Sequence, residues 1–355
     1  MRDAGRPFVI GDRRVGGGAP VFIVAEAGVN HNGDLALARR LVDAAAEAGA
    51  DAVKFQTFRA KALASRYAPK AGYQRETTGP GESQRELLGR LELTLDHHLE
   101  LRDRCTKRGI VFFSAPFDEA SADLLESVGV ALFKVPSGEI TNLPLLRHVA
   151  SKGRPLILST GMSTLAEVEA AVATLRAAGD PPLALLHCLS AYPAPPEEMN
   201  LRAMDTLREH FSCPVGLSDH TLGIEIALAA VARGAVIVEK HLTLGKELSG
   251  PDHQASLDPD EFAALVRAVR LVEAALGDGI KRPMPSEDDT RAVARKSLVA
   301  VRRILAGERL TADLVALKRP GTGISPAELD RALGRRVTRE LAPDEVIDWG
   351  ALADP

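Results

Sequence analysis

Gly216-Leu-Ser-Asp-His-Thr-Leu-Gly223 and Val238-Glu-Lys-His-Leu-Thr243 carry the decisive histidines, His220 and His241. Each stretch follows a short apolar run, Cys213-Pro-Val-Gly-Leu217 in one case and Ala235-Val-Ile-Val238 in the other. Each then feeds a helical pattern. A short apolar run bounded by turn residues and leading into a helix reads as a buried parallel strand. Both histidines therefore fall at the carboxyl ends of consecutive strands, which in a parallel sheet lie about 4.8 Å apart. Two imidazoles so placed can share one cation and leave positions open for a substrate. Taken alone, they read equally well as two separate core histidines.

The same strand–helix unit recurs along the chain. Strands are expected at Phe22–Ala25, Ala52–Phe55, Val111–Phe113, Leu132–Val135, Pro155–Leu158 and Leu183–Leu186. With the two already named, this makes eight, each followed by an amphipathic helix. Strands alternating with helices predict a parallel sheet, and eight such units predict a closed (β/α)8 barrel of the TIM type. No GxGxxG follows the first strand, which disfavours a dinucleotide fold. Phe8–Val15 reads as a hairpin turning at Gly11-Asp12. Arg59 to Leu93 is a long polar insertion without clean periodicity, and loops of that length are usually functional. The barrel domain is expected to span residues 1–280, a Pro-containing acidic linker 281–294, and a domain of short strands 295–355.

Composition narrows the class of function. Of 355 residues, 45% are hydrophobic and 26% charged, as in an ordinary globular chain. The net charge of −4 and only 4% aromatics offer no basic footprint or stacking surface for nucleic acid, nor for an anionic membrane. No apolar run approaches a membrane span. The polar start, Met1-Arg-Asp-Ala-Gly-Arg-Pro7, has no apolar core or cleavage signal. Cys105, Cys188 and Cys213 lack a CxxC pattern and read as reduced thiols of a cytoplasmic protein.

Barrel enzymes work where strands run into the following helices. That rim carries Glu26, Lys54, Gln56, Lys134, Ser137, Glu139, Ser159, Ser190, Tyr192, Ser218, Asp219, His220, Lys240 and His241. Lys54 and Lys134 admit three readings: a Schiff-base lysine, a pair of cations clamping phosphate, or structural pairs with Glu26 or Glu139. Serine hydroxyls beside two cations favour an oxyanion ligand such as phosphate. Glu26 and Glu139 are the acid–base candidates. Asn30-His31-Asn32-Gly33 can equally be a helix cap, with Asn32 or Asp34 capping. His97-His98, His148 and His210 read as solvated helix faces.

These motifs resemble the bacterial sialic acid synthases. The resemblance rests on Ala25-Glu-Ala-Gly-Val-Asn-His-Asn-Gly33, Val53-Lys-Phe-Gln56, Phe133-Lys-Val-Pro-Ser-Gly-Glu139 and Leu158-Ser-Thr-Gly-Met162. It continues through Gly216-Leu-Ser-Asp-His220, Glu239-Lys-His241, Gly250-Pro-Asp-His253 and Lys318-Arg-Pro-Gly-Thr-Gly-Ile-Ser325. It covers nearly the whole chain, and the C-terminal piece is similar to the antifreeze-like (SAF, β-clip) domain of those enzymes. The resemblance implies condensation of phosphoenolpyruvate with an N-acetylated amino sugar, N-acetylmannosamine giving N-acetylneuraminate and phosphate. It implies phosphoenolpyruvate contacts at Lys54, Lys134, Ser137, Ser159 and Ser218. Ser190 stands where some members have Asn, and Ala115 where some have Thr. It implies sugar contacts at Gln56, Glu139, Tyr192 and Asp252. His220 and His241 match ligands for a divalent cation, usually Mn2+, with Mg2+ or Co2+ as alternatives. Arg319 matches an arginine that the small domain delivers into the barrel of a partner subunit, in a domain-swapped homodimer.

The inventory fits that chemistry. An aldehyde under attack needs a Lewis acid, water addition needs a carboxylate, and phosphate needs cations and hydroxyls. The nearest rival is the same reaction on another sugar, by a legionaminate, pseudaminate or 9-phosphate synthase. Gly250-Pro-Asp-His-Gln-Ala-Ser256 fits the neuraminate and legionaminate branch by resemblance without separating the two. More remote are a sugar-phosphate-type condensing barrel and a non-catalytic sugar-binding protein.

Overall fold

The computed structural model describes residues 6–79 and 81–354. Residues 1–5 of the polar start, Pro80 of the insertion and Pro355 lie outside them. The chain divides into two compact units, Met1–Asp278 and Gly279–Pro355.

The first unit opens with the expected hairpin, β1 (Phe8–Ile10) paired antiparallel with β2 (Arg13–Val15). Eight parallel strands follow: β3 (Phe22–Gly28), β4 (Ala52–Thr57), β5 (Val111–Pro116), β6 (Phe133–Val135), β7 (Leu156–Ser159), β8 (Leu183–Cys188), β9 (Val215–Asp219) and β10 (Ile237–His241). They hydrogen-bond in the order β5-β4-β3-β10-β9-β8-β7-β6. The last strand pairs with the first, His241 opposite Glu26, so the sheet curls into a nearly closed barrel. The gap falls between β5 and the three-residue β6.

Strand residues alternate between two cores. Phe22, Val24, Ala52, Phe113, Ile157, Leu186 and Ile237 fill the barrel interior with Phe8, Ile10 and Val15 of the hairpin. Their neighbours Ile23, Ala25, Val53, Phe112, Leu158, Leu217 and Val238 face outward to the helices. The helices start and stop on local signals. Asp34 accepts from Ala36 N–H to cap Leu35–Glu47. Thr94 caps Leu95–Arg108, and Gly109 ends it with φ 72°.

The long insertion is not structureless. It holds short helices at Ala60–Leu63, Gly72–Thr78 and Gln84–Gly89. Leu87 and Leu91 pack with Val29 and Phe58 in a small separate core. One expectation is corrected nearby. His98 is not on a solvated face: it is fully buried, donates to the Thr94 carbonyl at 2.7 Å, and bonds Thr57 Oγ1 at 2.7 Å.

In the second unit, a single turn at Pro285–Glu287 and a helix Asp288–Ala294 precede β11 (Ser297–Ala300), which pairs antiparallel with β12 (Val315–Lys318). Ala312–Leu314 forms a tight turn immediately ahead of β12. Leu298, Ile304, Leu314, Ile324, Val337, Leu341 and Ile347 give this unit its own core. Among the described residues no helix is long and apolar enough to cross a membrane.

Candidate functional site

Above the apolar layers of the barrel interior, the inward positions turn polar. β3 continues from Val24 to Glu26, β4 from Ala52 to Lys54, and β10 from Ile237 to Glu239 and His241. Glu26, Lys54, Lys134, Ser159, Ser218, Glu239 and His241 are all buried. Ionised groups there are costly unless they pair.

They pair on one atom. Glu239 Oε1 accepts from Lys54 Nζ at 2.9 Å, from Lys134 Nζ at 3.0 Å and from Ser218 Oγ at 3.1 Å. Lys54 also lies 3.2 Å from Glu26 Oε2, and Gln56 Nε2 donates to Glu26 Oε1 at 3.2 Å. Burial opposes the charge on Glu239, but the two ammonium groups outweigh it and hold the carboxyl far below its usual range. Burial also opposes the charge on Lys54, and Glu239 with Glu26 outweigh it, so Lys54 stays an ammonium. At Lys134 burial wins, and its value falls to about 8. At Glu26 burial likewise outweighs Lys54 and raises the carboxyl to about 7. One carboxylate is thus firmly ionised and another is poised to exchange a proton near neutrality.

The histidine pair stands at the end of the same strands. The rings of His220 and His241 are 5.3 Å apart, centre to centre. His220 Nδ1–H donates to the Leu189 carbonyl at 2.7 Å, which directs Nε2 away from that bond. His241 Nδ1 has no hydrogen-bond partner and lies 3.8 Å from Asp252 Oδ2. Burial, then the neighbouring His220 and Lys54, keep His241 neutral. Among the described residues no three His, Cys, Asp or Glu gather as a ready metal shell. The two neutral-capable imidazoles, one with an orphaned nitrogen, fit a divalent cation that takes its other ligands from solvent or substrate.

The remaining expected residues are spread around these groups. Tyr192 packs on His220 with ring centres 4.2 Å apart and on His241 at 5.8 Å. Asp252 is buried with Oδ1 unpartnered, and burial raises its carboxyl to about 6. Ser137 Oγ accepts from Gly161 N–H at 2.9 Å. A Cβ on Gly161 would lie 2.8 Å from that oxygen and closer still to Ser190 Oγ, so only glycine leaves this hydroxyl-lined corner open. Ser159 Oγ is buried and unpartnered. Glu139 is half-buried, accepts from Asn142 Nδ2 at 2.8 Å, and is raised by burial. Arg319 belongs to the second unit, where it is exposed and its Nε donates to the Ala294 carbonyl at 3.0 Å.

Glu239 and Tyr73 are absent from the sequence inventory, and one pair takes a different face. Lys54 pairs with Glu26 as weighed, but its shorter bond, and that of Lys134, is to Glu239. The alternation of β10 marks that residue as inward. Tyr73 stacks on Tyr192, and Cys188 Sγ lies 3.9 Å from both Ser190 Oγ and His220 Nδ1. Asp219 and Lys240, expected on the rim, form a closed pair of their own at 2.7 Å.

Known proteins resemble the chain in sequence and fold. Residues 41–281 match the NeuB family, and residues 295–353 the SAF domain. The chain is 49% identical over 328 residues to an N,N'-diacetyllegionaminic acid synthase of Campylobacter jejuni, covering 92% of this chain and 98% of that one. It is 47% identical over 332 residues to the enzyme of the same name from Legionella pneumophila, covering 92% and 93%. Among solved structures, the N-acetylneuraminic acid synthetase of Leptospira borgpetersenii, in complex with citrate, superposes with a TM-score of 0.73 at 38% identity, covering 82% of this chain and 96% of that one.

Proposed function

The chain belongs to the NeuB family of phosphoenolpyruvate-condensing nonulosonate synthases, and from that premise we propose which sugar it takes and how its residues divide the work. The proposed acceptor is a diacetamido-trideoxy hexose, the aldose whose condensation gives a legionaminate-type product. The support is the 49% and 47% identity to two synthases of that name, which moves the reading away from N-acetylmannosamine. The observation that carries the chemistry is the convergence of Lys54, Lys134 and Ser218 on Glu239 Oε1, two residues before His241 on the same inward face.

In this reading Lys54, Lys134, Ser137, Ser159, Ser190 and Ser218 hold the phosphate and carboxylate of phosphoenolpyruvate. Gln56, Tyr192 and Asp252 hold the open-chain sugar, with Glu139 at the same side. His220 and His241 hold a divalent cation, Mn2+ by family resemblance, which polarises the sugar aldehyde when bound. A carbon–carbon bond forms between the methylene carbon of phosphoenolpyruvate and the aldehyde carbon, whose oxygen takes a proton. Water adds to the carbon bearing the phosphoryl oxygen and gives up a proton. The bond from that carbon to the phosphoryl oxygen then breaks as the new hydroxyl loses its remaining proton to the departing phosphate, leaving the ketone. Glu26, raised to about 7 and touching Lys54, is suited to take a proton from water and return it. Arg319 is assigned to the sugar in the barrel of a partner subunit within a homodimer. Mixing inactive His220→Ala and Arg319→Ala chains should then restore part of the activity.

The test is phosphate release from phosphoenolpyruvate with a panel of sugars: the diacetamido-trideoxy hexose, N-acetylmannosamine and N-acetylmannosamine 6-phosphate. The first should give the highest kcat/KM. A higher value with either of the others would reassign the sugar, and no release with any would overturn the reading. Borohydride added during turnover should trap no covalent adduct, since Glu239 holds the lysines as an electrostatic clamp.

A further inference from the structure

The helix Gly72–Thr78 of the insertion has no buried residue, yet it is held in place with care. Gln74 Oε1 accepts from Ala71 N–H at 3.0 Å, Arg75 donates to the Lys70 carbonyl at 3.1 Å, and the buried Lys70 donates to Thr78 Oγ1 at 2.9 Å. The insertion's apolar foothold lies elsewhere, at Leu87 and Leu91 against Val29 and Phe58. What this helix presents to the barrel is Tyr73. Its ring stacks on Tyr192 with centres 4.9 Å apart and planes 29° apart. Tyr192 in turn packs on His220 at 4.2 Å with planes 36° apart. Tyr192 thus packs against one ring from the insertion and one from the barrel.

A side chain packed against two rings has little rotamer freedom left. Tyr192 follows β8 on a loop, and Tyr73 is the insertion's ring against it. Partial removal of Tyr73 from water, and then the nearby Asp252 carboxyl, raise its phenol and keep it neutral, so the contact is a stack of uncharged rings. We propose that Tyr73 is a positioning residue for the sugar side of the site: by holding Tyr192 against His220, it lets the insertion take part in recognising the amino sugar. This rests on the proposed synthase reading.

An aromatic pair is worth about 0.5–1.5 kcal/mol beyond its buried area, which sets the scale of the effect. Tyr73→Ala should raise the KM for the sugar about three- to tenfold and leave the KM for phosphoenolpyruvate within about twofold. Tyr73→Phe, which keeps the ring, should restore the wild-type sugar KM. The thermal midpoint of both variants should stay near that of the wild type, because the helix contributes no core residue. An unchanged sugar KM in Tyr73→Ala would overturn the proposal. So would a parallel rise in both KM values with a lowered midpoint, which marks a general structural role. A Tyr73→Phe variant as impaired as Tyr73→Ala would overturn the stacking account. If the wild-type protein releases no phosphate with any sugar of the panel, the synthase reading fails first and this inference falls with it.

Discussion

On β10, Glu239 and Lys240 are neighbours in the chain and opposites in the barrel wall. Both are buried and both are ion-paired, but their surroundings differ in kind. Lys240 faces outward, where its Nζ donates to Asp219 Oδ2 at 2.7 Å and to the Thr221 carbonyl at 2.6 Å. Asp219 Oδ1 accepts from both the N–H and the hydroxyl of Thr221. This outer cluster satisfies itself. The inner one does not: Ser159 Oγ, Glu239 Oε2, His241 Nδ1 and Asp252 Oδ1 are buried without a hydrogen-bond partner in the protein. Leaving such atoms unpaired costs about 1–3 kcal/mol each, so four of them on the inward side of the strand ends mark a place where polar groups from outside the chain can be bound. A buried charge alone is therefore no mark of function. The difference lies in whether its hydrogen bonds close on the protein.

The largest expected effect separates the two clusters by activity. Lys134→Met removes an inner cation whose charge burial already disfavours, and leaves Glu239 paired with Lys54. Stability should hold or rise, as when a costly buried charge is replaced by an apolar chain. The kcat/KM for phosphoenolpyruvate should fall about 10³-fold, the scale for losing one preorganised group facing a charged substrate. A variant with near-normal turnover would place Lys134 with the structural charges.

The outer pair should show the reverse. Lys240→Met leaves Asp219 buried without its cation and should cost about 3 kcal/mol of unfolding free energy. Adding Asp219→Asn should recover a large part of that loss, since both charges are then gone. Turnover per folded molecule should change little in either variant. Chemical denaturation measured alongside phosphate release checks both halves. A large loss of turnover with full stability would show that the outer pair acts on the chemistry.

How much of this was legible in the sequence follows the same divide. The eight strands could be read because their apolar runs are short, bounded and followed by helices, and those runs are the two packed faces of the barrel wall. The histidines could be read because they end such runs. Glu239 and Lys240 could have been told apart by strict alternation: Ile237 lies inside, so Glu239 and His241 do too, and Lys240 does not. Nearness to a strand end alone does not separate the two clusters, because it leaves out the face each residue takes. His98 was open to the same kind of check, because Leu101 and Cys105 place a buried stripe on its side of the helix. Tyr73 was a different matter. Its helix is short and has no apolar face, so no periodicity in the sequence marks it, and only tertiary contact reveals what it touches.

The smallest expected effect brings pH to bear on the divide. His31 is fully buried, and its ring centre lies 6.1 Å from that of Phe55, a residue of the outward-facing core. Its Nδ1 accepts from Gly33 N–H at 3.0 Å, which requires the neutral ring with the proton on Nε2. Burial first, and then the nearby His98 and His97, lower its value from 6.5 to about 4. Between those two values the unfolded chain binds a proton that the folded chain refuses, so stability rises with pH across that window. The contribution is fully present above pH 6.5 and is lost as pH falls toward 4. From pH 7 to pH 5 the loss from this one group should be about 2 kcal/mol. His31→Asn keeps an acceptor near the Gly33 N–H and removes the titration. Its unfolding free energy at pH 7 should be somewhat lower than that of the wild type, but its slope between pH 7 and pH 5 should be shallower by that same amount. Urea titrations at the two pH values measure both slopes. Equal slopes would mean that His31 takes up its proton without leaving its place against Phe55, and that the outer wall tolerates a charge its packing does not satisfy.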